Sequence, residues 1–249
     1  MNKNNSTLIS ETLLATPLFS GLDEEGLAQF IQNARLSDHQ KGKILFLQGE
    51  KADYFYIIKN GWVKLFRETI SGDEHVIDMM TRRHAFGETS VFEEGKYPYR
   101  AKVIEDSEII IIPTAILKKQ LERNHKFSLN MLSSMSHYRR HQERQIEHLT
   151  IENAPRRIGC FMLRLCFEEE ACPVTLTLPY NKSVLALHLG MKAETFSRAL
   201  AALKENVGIE INGSDVRIKD VEKLKAYCRP SCSDSFPECV MSEQQVTSP

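Results

Sequence analysis

Between about Leu18 and Pro113 apolar and polar positions alternate in short runs, KILFLQGE, YFYIIKNG, VKLFRETISG, HVIDMM, AFGE and AKVIEDSEIIIIP, broken by glycine. Within one run Val63 and Leu65 flank Lys64, and turn chemistry falls at Gly49, Asn60-Gly61 and Ser71-Gly72. A period of two bounded by such turns predicts antiparallel strands with one wet face, because successive strand side chains point to opposite sides. Many short strands with regular turns predict a sandwich or barrel. Ahead of them, LDEEGLAQFIQNA predicts a small capping helix with Asp23 as its N-cap.

The period changes after Pro113. From Thr114 to Thr150 neither glycine nor proline occurs, which predicts one long helix preceded by a shorter one. Leu132, Met135, Arg139, Gln142, Ile146 and Leu149 fall at alternating spacings of three and four, the interval of a coiled-coil seam. A long helix linking two domains has little else to pack on, so the seam predicts a homodimer whose polar centre meets a ligand or sets register. The competing account is a helix lying on the β region.

A second domain begins at Asn153, which is placed to cap a helix with Pro155 in its first turn and Ile158, Met162, Leu165 and Cys166 on one face. Then come a short strand (VTLTLP), a short helix (NKSVLALHL), a GM turn and a second helix (KAETFSRALAALKEN). The block closes with GIEI, an Asn212-Gly213 turn, DVRI and a last helix (DVEKLKAY). Asn-Gly between two alternating runs is a strong hairpin signal. Helix, turn, helix and β-wing predict a winged helix-turn-helix, giving four segments: 1–113, 114–152 with its hinge at Asn153, 153–227 and 228–249.

Composition narrows the partners. The chain of 249 residues is 42% hydrophobic and 26% charged, with a net charge of −1, as in a globular protein of two modest domains. From 179 to 230 nine Lys and Arg stand against six acids, so a basic module is joined to an acidic body. No apolar run approaches the roughly 18 residues that span a bilayer, and the polar start MNKNNSTLIS lacks the apolar stretch of a signal peptide. The expected address is the cytoplasm, with no membrane partner. His39, His75 and His84 form no metal-spaced group, and no nucleophile elbow or phosphate-cradling loop occurs, so catalysis is not expected.

On the second helix of the motif, Glu194, Ser197 and Arg198 share one face at i, i+3 and i+4, while Phe196, Leu200 and Leu203 turn inward. Arg198 suits guanine O6 and N7, Glu194 the cytosine amino group, and Ser197 a base or phosphate; Lys192 and Lys182 join the DNA-facing set. The stretch LGMKAETFSRAL is similar to the recognition helix of the Crp/Fnr family of bacterial transcription regulators, and its Glu-x-x-Ser-Arg resembles the signature of the Fnr-type branch. The resemblance spans roughly residues 15 to 227. It implies an α+β chain: a cyclic-nucleotide-binding-like antiparallel β-roll, a long dimerisation helix and a C-terminal winged helix-turn-helix. Implied partners are double-stranded DNA with a palindromic operator of TTG-type half-sites, a second copy of the chain, and RNA polymerase.

The stretch FGETSVFEEGKYPYRAKV resembles the family's phosphate-binding cassette. Gly87 and Glu88 fit it, and with Arg100 and Gln142 they make the expected effector pocket. Arg100 comes late for the family spacing, Pro98 interrupts the approach and Ala101 replaces the hydroxyl residue. Cyclic nucleotide is therefore the alternative effector rather than the leading one. No cysteine precedes Cys160, so the N-terminal iron-sulfur cluster of Fnr is not expected. The YP of KYPYRA resembles the nitrosative-stress branch, the haem-linked nitric-oxide regulators of denitrification and the regulators of hybrid cluster protein. That resemblance implies haem, with Met79, Met80, His84, His137, His141 and His148 as candidate axial ligands.

All six cysteines lie in the second half and are expected as thiols. Cys160 and Cys166 read as helix packing; Cys172 follows them. Cys228, Cys232 and Cys239 are assigned to a mobile tail from residue 228, where redox chemistry is the alternative mode of sensing.

Overall fold

The structure is a computed structural model that describes residues 3–20, 22–69, 72, 74–151, 153–166, 173–178 and 182–228, without side chains at 3–4, 141, 144–151 and 164. It falls into two units that divide between His141 and Gln142. In the first, helices α1 (Lys3–Leu14) and α2 (Glu24–Asn33) precede strands β1 (Arg35–His39), β2 (Ile44–Phe46), β3 (Tyr54–Glu68), β4 (Glu74–Met80), β5 (Ala85–Phe86) and β6 (Arg100–Pro113). Helices α3 (Thr114–Arg123) and α4 (His125–Ile151) follow. The sheet is antiparallel in the order β1-β6-β3-β4, with β2 on β6 and β5 on β3.

Strand parity builds two cores from the same strands. Phe55, Ile57, Ile110 and Ile112 face α1, α2, α3 and the start of α4, where Ile9, Leu13, Phe19, Phe30, Leu117, Phe127 and Met131 close around them. Tyr56, Ile58, Ile109 and Ile111 face the interior of the roll with Phe46, Phe86, Tyr97, Ala101 and Val103. A strand covered on both faces needs no polar alternation, which accounts for the unbroken apolar run near the end of β6. The Asp23 carboxylate accepts from the Gly26 amide at 2.9 Å and caps α2 as its position predicts.

Two expectations change here, and two elements carry no forecast. Asn60-Gly61 is not a turn: β3 runs through it, and its register against β6 shifts on both sides of Asn60 and again at Trp62. Gly61 has φ +99°, and a Cβ there would overlap Ser107 Oγ and lie 2.7 Å from the Asp106 carbonyl. The dipeptide forms a bulge against a strand already in place. Helix α1 and strand β1 carry no local periodic signal; α1 buries Ile9 and Leu13. Residue 113 is no packing boundary, since Leu117, Phe127 and Met131 lie in the first unit's core. Ser71 lies outside the described residues.

The second unit holds α5 (Ala154–Cys166), β7 (Val174–Thr177), α6 (Lys182–His188), α7 (Ala193–Val207), β8 (Glu210–Asn212), β9 (Asp215–Ile218) and α8 (Val221–Cys228). Its sheet is antiparallel in the order β7-β9-β8. Ile158, Met162, Leu165, Phe196, Leu203, Ile209, Ile218 and Leu224 are buried. Cys160 and Cys166 are buried free thiols, as helix packing requires. Cys228 corrects the tail assignment: it is the last residue of α8, buried, with its sulfur against Gly159 of α5. Cys172, Cys232 and Cys239 lie outside the described residues. Among the described residues no helix is long and apolar enough to cross a membrane.

Candidate nucleic-acid interface and sensor interior

The end of α6 and the start of α7 form one device. Gly190, at φ +63°, takes the left-handed conformation that ends a helix. Its amide donates to Leu187 O at 3.1 Å and the Met191 amide to Ala186 O at 2.9 Å, the two crossed bonds of a Schellman motif. Helix α7 starts two residues later, with Lys192 at the N-cap position. It buries Phe196, Ala199, Leu200, Leu203 and Val207 and leaves Lys192, Glu194, Ser197 and Arg198 exposed. The Arg198 guanidinium stands 3.7 Å from the Glu194 carboxylate, with side chains 79% and 88% exposed. An i,i+4 pair in water contributes only a few tenths of a kcal/mol, ~0.3–0.5, so these groups have little structural role to lose. Ser197 Oγ donates to the Ala193 carbonyl at 3.1 Å, which leaves its lone pairs free to accept. Lys182 is the first residue of α6 and half-buried.

The β8–β9 hairpin turns at Asn212-Gly213 as predicted, with Asn212 opposite Asp215. Its charges are mutually engaged: Lys219 Nζ lies 2.5 Å and Arg217 Nη1 3.8 Å from the Glu210 carboxylate. The Lys219 hydrogen bond holds the Glu210 carboxyl below its ordinary range. Asn153 begins α5 as the sequence implies, its Oδ1 accepting from the Arg156 amide at 3.1 Å.

In the roll, Gly87 at φ +81° precedes a short 3-10 turn that starts with Glu88. Glu88 Oε2 is buried without a hydrogen-bond partner, and burial pushes the carboxyl up. Tyr99 Oη accepts from the Gly87 amide at 3.2 Å, and Tyr97 Oη donates to the Tyr54 carbonyl at 2.6 Å. The Tyr97 ring stacks on Phe46 with centroids 3.7 Å apart, and Tyr56 stacks on Phe86 at 5.2 Å. Burial raises the phenols of Tyr97 and Tyr99. Neither tyrosine was singled out from the sequence, although positions 97, 99, 101 and 103 share one parity and all pack with the interior.

That parity corrects the expected effector pocket. Arg100 lies between Tyr99 and Ala101, on the opposite face of β6 from the interior, and is ion-paired with Glu68. It does not join Gly87 and Glu88. Gln142 is exposed and belongs to the second unit. On α4, Leu132, Met135 and Arg139 are exposed, while the side chains of Ile146 and Leu149 lie outside the described residues. The candidate haem ligands also divide. Met79 and Met80 are packed into the core of the first unit. His84 Nδ1 lies 3.2 and 3.1 Å from the Thr81 and Arg82 carbonyls, and His137 Nδ1 lies 2.9 Å from the Arg140 guanidinium. The side chains of His141 and His148 are outside the described residues. Met79 and Met80 therefore serve as core packing, whereas carbonyls at Nδ1 of His84 leave its Nε2 unengaged by those contacts. Among the described residues no group of three or more His, Cys, Asp or Glu is placed to hold a metal ion.

An antiparallel roll in one unit and a winged helix-turn-helix in the other define a two-unit, DNA-binding regulator. The cyclic nucleotide-binding domain model matches residues 37–124, and the Crp-like helix-turn-helix domain model matches residues 156–227. The chain belongs to the Crp/Fnr family of DNA-binding transcription regulators. It is 25% identical over 224 residues to the CRP-like cAMP-activated global transcriptional regulator of Mycobacterium tuberculosis, covering 89% of this chain and 100% of that protein. It is 24% identical to the transcriptional activator protein Anr of Pseudomonas protegens, over 86% of this chain and 88% of that one. Among solved structures, DNR from Pseudomonas aeruginosa is similar at 28% identity and a TM-score of 0.50, with 87% of this chain and 96% of that chain covered.

Proposed function

We propose that the chain acts as a homodimer that reads a palindromic operator with Glu194, Ser197 and Arg198 under the control of an effector in the roll. The observation that carries this reading is the exposure of those three side chains opposite the buried Phe196, Leu200 and Leu203, on the second helix of the motif. Arg198 offers two parallel donors to guanine O6 and N7, Glu194 accepts from a cytosine amino group, and Ser197 serves a base or a phosphate. Lys192 and Lys182 take backbone phosphates, which position without specifying. RNA polymerase is the further partner we assign, on the family resemblance.

The effector we assign is a nitrosative signal, on the resemblance of KYPYRA, and not a cyclic nucleotide. The inward positions Tyr97, Tyr99, Ala101 and Val103 offer no cation, and recognition of a cyclic phosphate wants a forked guanidinium facing it.

The test is an anisotropy titration of the full chain with a palindromic duplex of two TTG half-sites and with a scrambled duplex, with and without a nitric-oxide donor or cAMP. The expected result is operator binding about 10³-fold or more tighter than scrambled binding, altered by the donor and indifferent to cAMP. Equal binding to both duplexes under every condition overturns the reading; a gain from cAMP overturns the effector assignment.

A further inference from the structure

Arg157 lies in the first turn of α5, and its amide donates to the Asn153 carbonyl at 3.2 Å. Its side chain leaves that helix altogether. Nη1 donates to Leu189 O at 3.0 Å and lies 3.4 Å from Gly190 O. The Schellman motif at the end of α6 satisfies the carbonyls of Ala186 and Leu187 but not those of Leu189 and Gly190. Those two are the carbonyls Arg157 reaches, three and two residues before Lys192, the N-cap of the recognition helix. Arg157 Nε is buried without a hydrogen-bond partner, while the residue as a whole is half-buried.

We propose that Arg157 is a positioning residue for DNA recognition: it ties the turn between α6 and α7 to the first turn of α5. Both contacts come from the one Nη1, a charged donor shared between two adjacent carbonyls, and a charge-assisted bond of this kind is stronger than a neutral one. Asn153 caps the same turn of α5, so a change in the backbone at Asn153 reaches the recognition helix through one helical turn and one side chain. The arrangement costs the protein a partly desolvated cation, a cost unsuited to a residue that serves only as surface. This inference rests on the reading of α7 as the recognition helix.

The test uses the full chain carrying Arg157→Met, which keeps much of the length and removes the donors, and Arg157→Lys, which keeps a charged donor on a shorter reach. Unmutated protein is first titrated with the TTG-half-site palindrome and its scramble; failure to discriminate there sinks the function reading, not this one. Given discrimination, Arg157→Met is expected to lose about tenfold or more in operator affinity with scrambled binding within about twofold. Arg157→Lys is expected to recover part of the loss. Amide exchange is expected to rise at Gly190 and Met191 while the amides of α5 and α8 stay protected. Unchanged discrimination overturns the proposal. So does an equal loss on both duplexes with a salt slope reduced by about one, the mark of a direct phosphate contact. A rise in exchange across the whole unit also overturns it, because it marks global destabilisation.

Discussion

Gly159 of α5 and Cys228 of α8 meet so closely that a Cβ on the glycine would lie 2.6 Å from the thiol sulfur and 3.3 Å from Leu224 Cδ1. The glycine is helical, so the requirement is for space and not for backbone conformation. It brings α8 down onto α5 beneath the recognition helix, since Leu203 of α7 is the next neighbour at 3.7 Å.

Gly159→Ala is therefore expected to destabilise the second unit by about 1–3 kcal/mol through overpacking, despite the better helix propensity of alanine. Adding Cys228→Ala should recover a large part of the loss, because the two side chains compete for one volume. Urea titration of the single and double variants checks this. Additive losses would show that the contact is not the cause.

Arg198→Ala should leave stability within about 0.5 kcal/mol, since the guanidinium is 79% exposed and its ion-pair partner, Glu194, is an equally wet carboxylate. Operator binding should fall by about 1–3 kcal/mol, while the weaker, salt-sensitive binding to unrelated duplex persists. Parallel thermal melts and anisotropy titrations read both. A loss of melting temperature matching the loss of binding would reassign Arg198 to the fold.

The same dipeptide marks what the sequence could and could not reveal. Asn212-Gly213 joins two short strands that pair with each other directly across it, and the local pattern suffices to predict its hairpin. Asn60-Gly61 has the same chemistry, but Asp106 and Ser107 of β6 lie alongside it from 45 residues away, and the glycine is absorbed as a bulge. The recognition helix was legible because its period is local. Spacing along the chain puts Arg100 with the cassette, but strand parity turns it away: with Ala101 and Val103 inward, Arg100 must point out. Arg157 left no sequence signal, since its partners are carbonyls more than thirty residues on.

Glu88 supplies a pH signature. Burial favours its neutral form, so the folded pKa lies above the ordinary 4.5. Below the unfolded pKa both states keep the proton and nothing is lost. As pH rises through that value the unfolded chain ionises first, and stability falls until the folded group ionises too. Glu88→Gln, which cannot ionise, is expected to melt higher than the unmutated protein at about pH 8 and together with it near pH 4. Differential scanning calorimetry across that range decides. A deficit in the variant that is constant with pH would mean that Glu88 is held by its shape and not penalised for its charge.

The exposed apolar stripe on α4 gives the last expectation. Leu129, Leu132 and Met135 are 51%, 62% and 37% exposed, three large apolar side chains along one stretch of helix. Leu132 and Met135 open the heptad-like spacing that continues to Arg139 and Gln142, which fits a seam awaiting a second copy. The double change Leu132→Asp and Met135→Asp should barely disturb the packing of one chain, because neither side chain is buried in it. It should place like charges on the seam of a dimer and drive the protein to monomer at micromolar concentration. Two linked recognition helices bind a palindrome with an affinity that one cannot match, so the variant should lose about a hundredfold or more on the palindrome and little on an isolated half-site. Sedimentation velocity and titration with both duplexes separate the outcomes: a variant that stays dimeric, or a monomer that binds the palindrome as well as the unmutated protein, would put the dimer contact elsewhere.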